Sequence, residues 1–432
     1  MIKWMKDKWL PSALWLAVGL SVIFSISVWL NPYRLEPTGL NEGTTSNVDQ
    51  NVIQTVYQAN QVIWNQADGS QKLLFGQPAN VALTLQQSLP KWKFGSVKQV
   101  SDHNRERYLA RLRQSNAIVI SFPGELASNI LKQSYHLTSD DFLGKVDRLV
   151  IPLQNPREIY LLQDRGLVVR RLRVKQSQLA GVRQALGGGK KIDVEAKVIN
   201  QQPVMTFPHA FELPNYQFQL TTDEGSTLAT ALLTTKATSN VHRQHSNGQT
   251  TYWVGKNRRV IVDDQTGKIQ YEQYVGTSQV RSLGALQTWG LRQLTQANLG
   301  TNSFRYAAIS TSGQTITYRN SVQGLLVFSD QGDGSITLKA NNDGLIRWQF
   351  SRYRLGTPVA TATNAGTRLP ATGVVMNQLK EAGKLSEIAG LQLGYRWTQV
   401  NGNQVNVQPS YFVYYHGNWV DYKTILSLGG QR

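Results

Sequence analysis

From Leu10 to Leu30 the chain runs 21 residues without a charged side chain. A bilayer core about 30 Å thick takes roughly 20 apolar helical residues to cross, so this stretch reads as a transmembrane helix. The competing reading is a cleaved secretory signal, whose apolar region spans about 7–15 residues and ends at a small-x-small site. Ser25-Ile26-Ser27 is the nearest match, and it lies inside the apolar run instead of after it. Trp9, Trp15, Trp29 and Tyr33 fall toward the ends of the run, where amphipathic rings favour the headgroup layer.

Lys3, Lys6 and Lys8 precede the segment with Asp7 opposing them, while Arg34 and Glu36 cancel beyond it. The positive-inside tendency then predicts a single-pass protein of the cell membrane, with a cytoplasmic N-terminus and the bulk of the chain extracellular. The sequence carries 45 Lys and Arg against 27 Asp and Glu, a net charge of +18, and most of the excess lies beyond the anchor. A basic exterior could suit nucleic acid, but outside the cell its expected neighbours are anionic lipid headgroups and wall polymers. There is no cysteine, which excludes disulfide staples, thiol catalysis and thiolate metal sites.

The expected class is α+β: one N-terminal transmembrane helix, then a mixed α/β domain and two antiparallel-sheet-plus-helix domains. Residues 1–9 form the cytoplasmic tail, 10–30 the anchor and 31–48 a Pro/Gly/Thr/Asn-rich linker. The N-terminal domain is expected over 49–189. In it TVYQANQVIW and KLLFG flank a turn at ADGSQ, and a helix is expected around Ala79–Leu89. A second helix, SDHNRERYLARLRQ, would be capped by Ser101 or Asp102. AIVISF reads as a buried strand stopped by Pro123, followed by a short helix around Glu125–Ser134, then VDRLVIPL and EIYLLQ joined by a turn at QNPR. Arg165, Arg170, Arg171, Arg173, Lys175, Arg183, Lys190 and Lys191 occur with no acid between them, and Val174, Leu179, Val182 and Leu186 fit one helical face. That pattern predicts a basic amphipathic helix, with Arg170, Arg171, Arg173, Lys175 and Arg183 as a candidate membrane-surface patch. Gly187–Gly189 reads as a hinge.

The middle domain, 190–281, holds YQFQLTT, a helix around Thr227–Leu233 and TTYWVGKNRRVIVDDQTGKIQYEQY with a turn at Asp264–Gly267. The C-terminal domain, 282–432, opens with the helical stretch RSLGALQTWGLRQLTQANL. Strand patterns separated by SG, DQGDG and NNDG follow, then a helix ending at Gly383 and strands around Asn401-Gly402. The shared helix-then-strands order of the last two units hints at a duplicated module.

Catalytic signatures do not assemble. His242 and His245 are close in sequence but lack an acidic neighbour, and zinc sites ordinarily need three or four ligands. Ser88-Leu89-Pro90-Lys91 fits Ser-x-x-Lys, but Pro90 breaks its helix and no Lys-Thr-Gly follows. Gly187–Lys191 lacks the spacing of a phosphate-binding loop. Asp140-Asp141 and Asp263-Asp264 sit where helix caps or turns explain them. No cofactor is expected. Aromatic side chains lie beside basic ones at Trp348, Arg352, Tyr353 and Arg354, and at Tyr395, Arg396 and Trp397. Such residues dominate interfaces, although on strands alternate aromatics more often face their own core.

The order of these features carries a resemblance. The anchor ends in Trp29-Leu30-Asn31-Pro32, AIVISFPGEL and VDRLVIPL follow, and the middle unit holds TTYWVGKNRRVIVDDQTGKIQYEQY. RLPATGVVMNQLKEAG and QPSYFVYYHGNW close the chain. In order and spacing the sequence resembles the YycH (WalH) family along nearly its whole length. The resemblance implies a non-enzymatic, extracytoplasmic accessory protein of a two-component system in Gram-positive bacteria. It implies association with a YycI-like single-pass membrane protein and with the WalK/YycG sensor histidine kinase, whose control of cell-wall homeostasis it would modulate. It further implies that the C-terminal domain resembles YycI, and that much of the contact is made by transmembrane helices, here Leu10–Leu30.

Small residues let membrane helices approach closely, and hydroxyls can bond across the interface. Ala13, Ala17, Ser21 and Ser25 form such an i, i+4 series opposite Leu16, Leu20 and Ile23, and are the candidate partner-helix contact. The alternative from another class is a membrane-tethered module that binds anionic wall polymers, or a wall enzyme.

Overall fold

The computed structural model describes residues 50–76, 81–137, 144–154, 156–233, 240–275, 282–297, 299, 303–310, 312, 314–359, 366–400 and 403–429. The anchor, the linker, Asp140-Asp141 and the Asn401-Gly402 turn lie outside them. Among the described residues no helix is long and apolar enough to cross a membrane.

The first lobe is a nine-stranded antiparallel sheet. Its strands are β1 (Gln61–Asn65), β2 (Gln71–Phe75), β3 (Lys93–Ser101), β4 (Ala117–Ala127), β5 (Lys145–Pro152), β6 (Glu158–Gln163), β7 (Val168–Gln176), β8 (Lys190–Ile199) and β9 (Gln202–Thr206), in spatial order β3-β7-β6-β5-β4-β1-β2-β8-β9. Helices α1 (Gln50–Val56), α2 (Val81–Ser88), α4 (Ser128–Tyr135) and α5 (Ala180–Ala185) cover one face, and α3 (Arg105–Leu112) packs on the other. β4 is therefore buried on both sides. Ile118 and Ile120 join the core under the first set of helices, while Ala117 and Val119 join Tyr108 and Leu112 of α3. Burial on both faces is why AIVIS reads as a continuous apolar run.

The second lobe is built on a fourteen-stranded sheet. The hairpins of the middle region (His242–Ser246, Gln249–Val254, Arg258–Asp263, Lys268–Tyr274) run into Leu345–Ser351, Ser335–Ala340, Thr315–Val322 and Leu325–Phe328. The order continues through Ile388–Val400, Gln404–Tyr415, Tyr216–Thr222 and Tyr353–Pro358. Phe304–Ile309 pairs with Thr315–Val322, and Asn418–Asp421 with Gln404–Tyr415. Helices α6 (Gly225–Leu233), α7 (Leu283–Gln296), α8 (Thr372–Glu381) and α9 (Tyr422–Gly429) pack around it.

Several expectations are corrected by this architecture. The basic stretch 165–191 is not one amphipathic helix but β7 followed by the six-residue α5. Val169 faces one side of the sheet while Leu172 and Val174 face the other, between β3 and β6. The alternation and β-branched residues of a strand outweigh the helical spacing that includes Leu179, Val182 and Leu186. The glycines at 187–189 turn the chain back into the first sheet: β8 pairs with β2, and Ile192, Val194 and Ala196 point inward. Residue 190 is thus no boundary in hydrogen bonding. Nor is 281/282, since Lys268–Tyr274 pairs with Leu345–Ser351, and Tyr216–Thr222 lies between two C-terminal strands.

Smaller corrections follow the same logic. Thr55 and Val56 are helical in α1, with Ile53 and Val56 buried. The α3 cap is Asn104, whose Oδ1 accepts from Arg107 N at 2.9 Å; Ser101 belongs to β3. β4 runs through Pro123 by bulging between Ser121 and Leu126. The strands expected around 401–402 are present as Ile388–Val400, Gln404–Tyr415 and Asn418–Asp421, and α9, with Tyr422 and Ile425 buried, follows them as an element the sequence reading did not include. Trp348, Tyr395 and Trp397 are core residues.

Candidate functional site

The bulge in β4 is where the lobes meet. A Cβ at Gly124 would lie 3.3 Å from both Ala307 O and Tyr306 Oη, so glycine allows the second lobe to approach the backbone. The fully buried Gln287 of α7 brackets the bulge, donating from Nε2 to Glu125 O (2.8 Å) and accepting at Oε1 from Ala127 N (3.0 Å). Tyr306 Oη donates to the same Glu125 carbonyl at 2.9 Å. Tyr57, just past α1, donates to Gln287 O at 2.7 Å, and its hydroxyl lies 3.3 Å from that of Tyr318. A bulge would otherwise strand backbone groups in the interior, and these side chains satisfy them.

Beside the bulge lies an ionic cluster. Arg148 of β5 grips Asp164 through Nε (2.9 Å) and Nη2 (2.7 Å), and also donates to Ser121 Oγ at 3.0 Å and Pro203 O at 3.1 Å. Tyr108 of α3 donates to the same carboxylate. Asp147 accepts from Asp164 N at 2.8 Å. Further out, Glu125 accepts from Lys145 at 3.0 Å and from Gln163 at 3.1 Å. Burial, then the charges of Asp164 and Glu125, push the Asp147 carboxyl well above its ordinary value. Burial opposes the Arg148 charge, but Asp164, by charge and hydrogen bond, holds that guanidinium above its ordinary value. Burial, followed by the Asp164 charge, raises the Tyr108 phenol.

This cluster floors a crevice of about 740 Å³ between the lobes. Phe122, Val204 and Phe207 wall one side and Ile309, Leu391 and Trp419 the other, with the exposed Arg165 at the rim. The acids and bases of the floor are tied to one another within the first lobe and leave an apolar-walled groove above a charged base, while the bonds of Gln287 and Tyr306 to the bulge join the second lobe to it.

The sequence-predicted residues fall elsewhere. Ala13, Ala17, Ser21 and Ser25 lie outside the described residues. Of the basic group, Arg171, Arg173 and Lys175 share one face of β7, joined by Lys98 opposite Arg171 on β3. Arg111 stacks 4.3 Å above the nearby Tyr160 ring. Glu158 pairs with Arg171 at 3.2 Å. Arg170 is on the opposite face, donating to Lys145 O at 3.3 Å, and Arg183 of α5 donates to Leu153 O at 3.1 Å. The local turn and cap readings hold for Asp263, whose Oδ1 accepts from Gln265 N (3.1 Å) and Thr266 N (2.8 Å). Asp264 has joined His245 at 3.2 Å instead. Among the described residues no three His, Asp or Glu groups converge as a metal site. Asp147 and Arg148 were missed, although a charged pair inside the buried run of β5 was a visible signal.

Two packed lobes, each a mainly antiparallel sheet with helices on it, and a bulge-centred seam between them define the class, an architecture shared with a solved protein. The crystal structure of YycH from Bacillus subtilis aligns with a TM-score of 0.68 at 14% identity, over 86% of this chain and 96% of that one. A second structure, of an uncharacterized protein from Eubacterium rectale, aligns with a TM-score of 0.33 at 9% identity, over 53% of this chain and 83% of its own. No curated protein matches by sequence. The family model for the C-terminal domain of YycH proteins matches residues 207–425. The chain belongs to the YycH family.

Proposed function

We propose that this protein is a membrane-anchored, non-enzymatic accessory regulator that associates with a YycI-like single-pass protein and modulates the WalK/YycG sensor histidine kinase. The observation that carries this reading is the family match over residues 207–425. The described residues begin close to the seam between the lobes. The first described element, α1, packs on α4, and Tyr57 just beyond it enters the seam through Gln287. Contact with partner helices is assigned to Ala13, Ala17, Ser21 and Ser25, whose spacing suits close helix approach. The test is co-purification from membranes with the cognate kinase, comparing the native anchor with an unrelated spanning helix of equal length. Loss of the kinase on exchange is expected; retention would move the contact to the outer lobes. A second reading, attraction of the outer part to anionic lipid or wall polymer, is favoured by the basic face of β7.

A further inference from the structure

Three acids and three bases line the crevice between the lobes: Glu125, Asp147 and Asp164 against Lys145, Arg148 and Arg165. Two pairs are closed within the fold, Arg148 on Asp164 at 2.7 Å and Lys145 on Glu125 at 3.0 Å. Asp147 and Arg165 form no ion pair among the described residues, with each other or with any other group. Asp147 is only 8% exposed. Its Oδ2 accepts from Asp164 N at 2.8 Å, whereas Oδ1 has no hydrogen-bond partner among the described residues and keeps access to solvent. Because Asp147 lines the crevice, that oxygen is the one turned into it.

The groups around this carboxyl do not satisfy it. Tyr108 donates to Asp164, and Tyr306 of the second lobe donates to Glu125 O at 2.9 Å. Gln202–Met205 and Ala389–Leu393, which close the crevice, bring no charged side chain. Burial, then the charges of Asp164 and Glu125, strengthen the hold of Asp147 on a proton. A place that retains a proton against water also favours a larger cation that brings hydrogen bonds of its own. Such a ligand has a way in. Arg165, Ser282 and Ser312 are exposed, and Met205, Leu283, Ile309 and Trp419 are half-buried along the walls. The volume of about 740 Å³ falls within the ~300–1,000 Å³ of small-ligand sites.

The charges also select the ligand. A cation alone at Asp147 would meet the like charge of Arg165, the next residue after Asp164, and an anion alone would meet the acids of the floor. A molecule carrying both charges on one short body meets neither conflict. We propose that the crevice binds an apolar amino acid or short peptide with both ends free, its ammonium group on Asp147 Oδ1, its carboxylate at Arg165 and its side chain against Met205, Leu283, Ile309 and Trp419. On binding, an ammonium N–H donates to Oδ1 and the carboxyl proton passes to solvent, so that Asp147 becomes the counter-ion of the ligand.

The test is calorimetric titration of the full chain in detergent with L-phenylalanine and with leucyl-phenylalanine, in buffers of different ionisation enthalpy. Saturable binding is expected, with release of up to about one proton per ligand. The proton competes with the ammonium group for Oδ1, so affinity should rise from about pH 5 to about pH 7, below the region near 8 where a peptide amine itself titrates. Binding of L-phenylalanine alone supports a free amino acid, and of leucyl-phenylalanine alone a peptide. N-acetylated leucyl-phenylalanine should not bind. Asp147→Asn should weaken binding at least about tenfold and remove its pH dependence, and Arg165→Gln, at an exposed position, should weaken it about two- to five-fold. Binding that ignores pH and N-acetylation, or that Asp147→Asn leaves intact, overturns the proposal. If Asp147→Asn does not fold, the wild-type titration decides, and no saturable heat with either probe overturns it.

Discussion

Asp164 and Asp147 sit side by side under the crevice, yet their environments give them opposite fates. Asp164 receives Arg148 through two nitrogens and Tyr108 besides, so its charge is fully used. Asp164→Asn should leave Arg148 buried without a counter-ion, costing about 3–5 kcal/mol, read as a lower midpoint in chemical denaturation. Asp147 has burial and two neighbouring acids against its charge. Its carboxyl holds a proton more tightly in the folded chain than in the unfolded one. The stability this contributes is complete below the ordinary value of 3.8 and is lost as pH rises through the raised folded value. Denaturation midpoints should therefore decline with pH above the ordinary carboxylate range in wild type. In Asp147→Asn that part of the decline should be absent.

At the level of elements, α7 shows packing overruling propensity. Replacing a helical glycine by alanine ordinarily stabilises by about 1 kcal/mol. At Gly290 the added Cβ would lie 2.6 Å from Tyr318 Oη and 3.1 Å from Ile316 Cγ2. Gly290→Ala should thus destabilise by about 1–3 kcal/mol, with faster amide exchange at the β4 bulge as the accompanying sign. Much of the element order was legible: the DQTG turn, the α7 stretch and the hairpins of the second lobe all carry local turn and periodicity signals. What could not be read was pairing at a distance. The partner of Arg148 comes from the turn after β6 and that of Gln287 from a bulge about 160 residues away. The basic run misled because charges say nothing about period; its apolar residues fit a helix only if Val169 and Leu172 are ignored.

For the whole molecule, the basic face of β7 and β3 is presented to solvent, and in the anchored protein proposed above it would lie within reach of a bilayer. Binding of the outer part to anionic vesicles should weaken steeply with salt, as expected for exposed charges separated by about a Debye length of 8–10 Å. Exchanging Arg171, Arg173 and Lys175 for Gln together should remove most of it, measured by vesicle sedimentation; unchanged binding would assign the attraction elsewhere. The second sheet has a further consequence, in the order of its own assembly. Tyr216–Thr222 emerges early but takes its neighbours from Tyr353–Pro358 and Gln404–Tyr415, with Gln217 bonded to a residue 187 positions later. Pairings of such sequence separation close slowly, and this one waits for the final strands. A chain folding from its N-terminal side therefore carries an unpaired strand at Tyr216–Thr222 until residues 404–415 are available, so the second lobe closes only once nearly all of its strands are present.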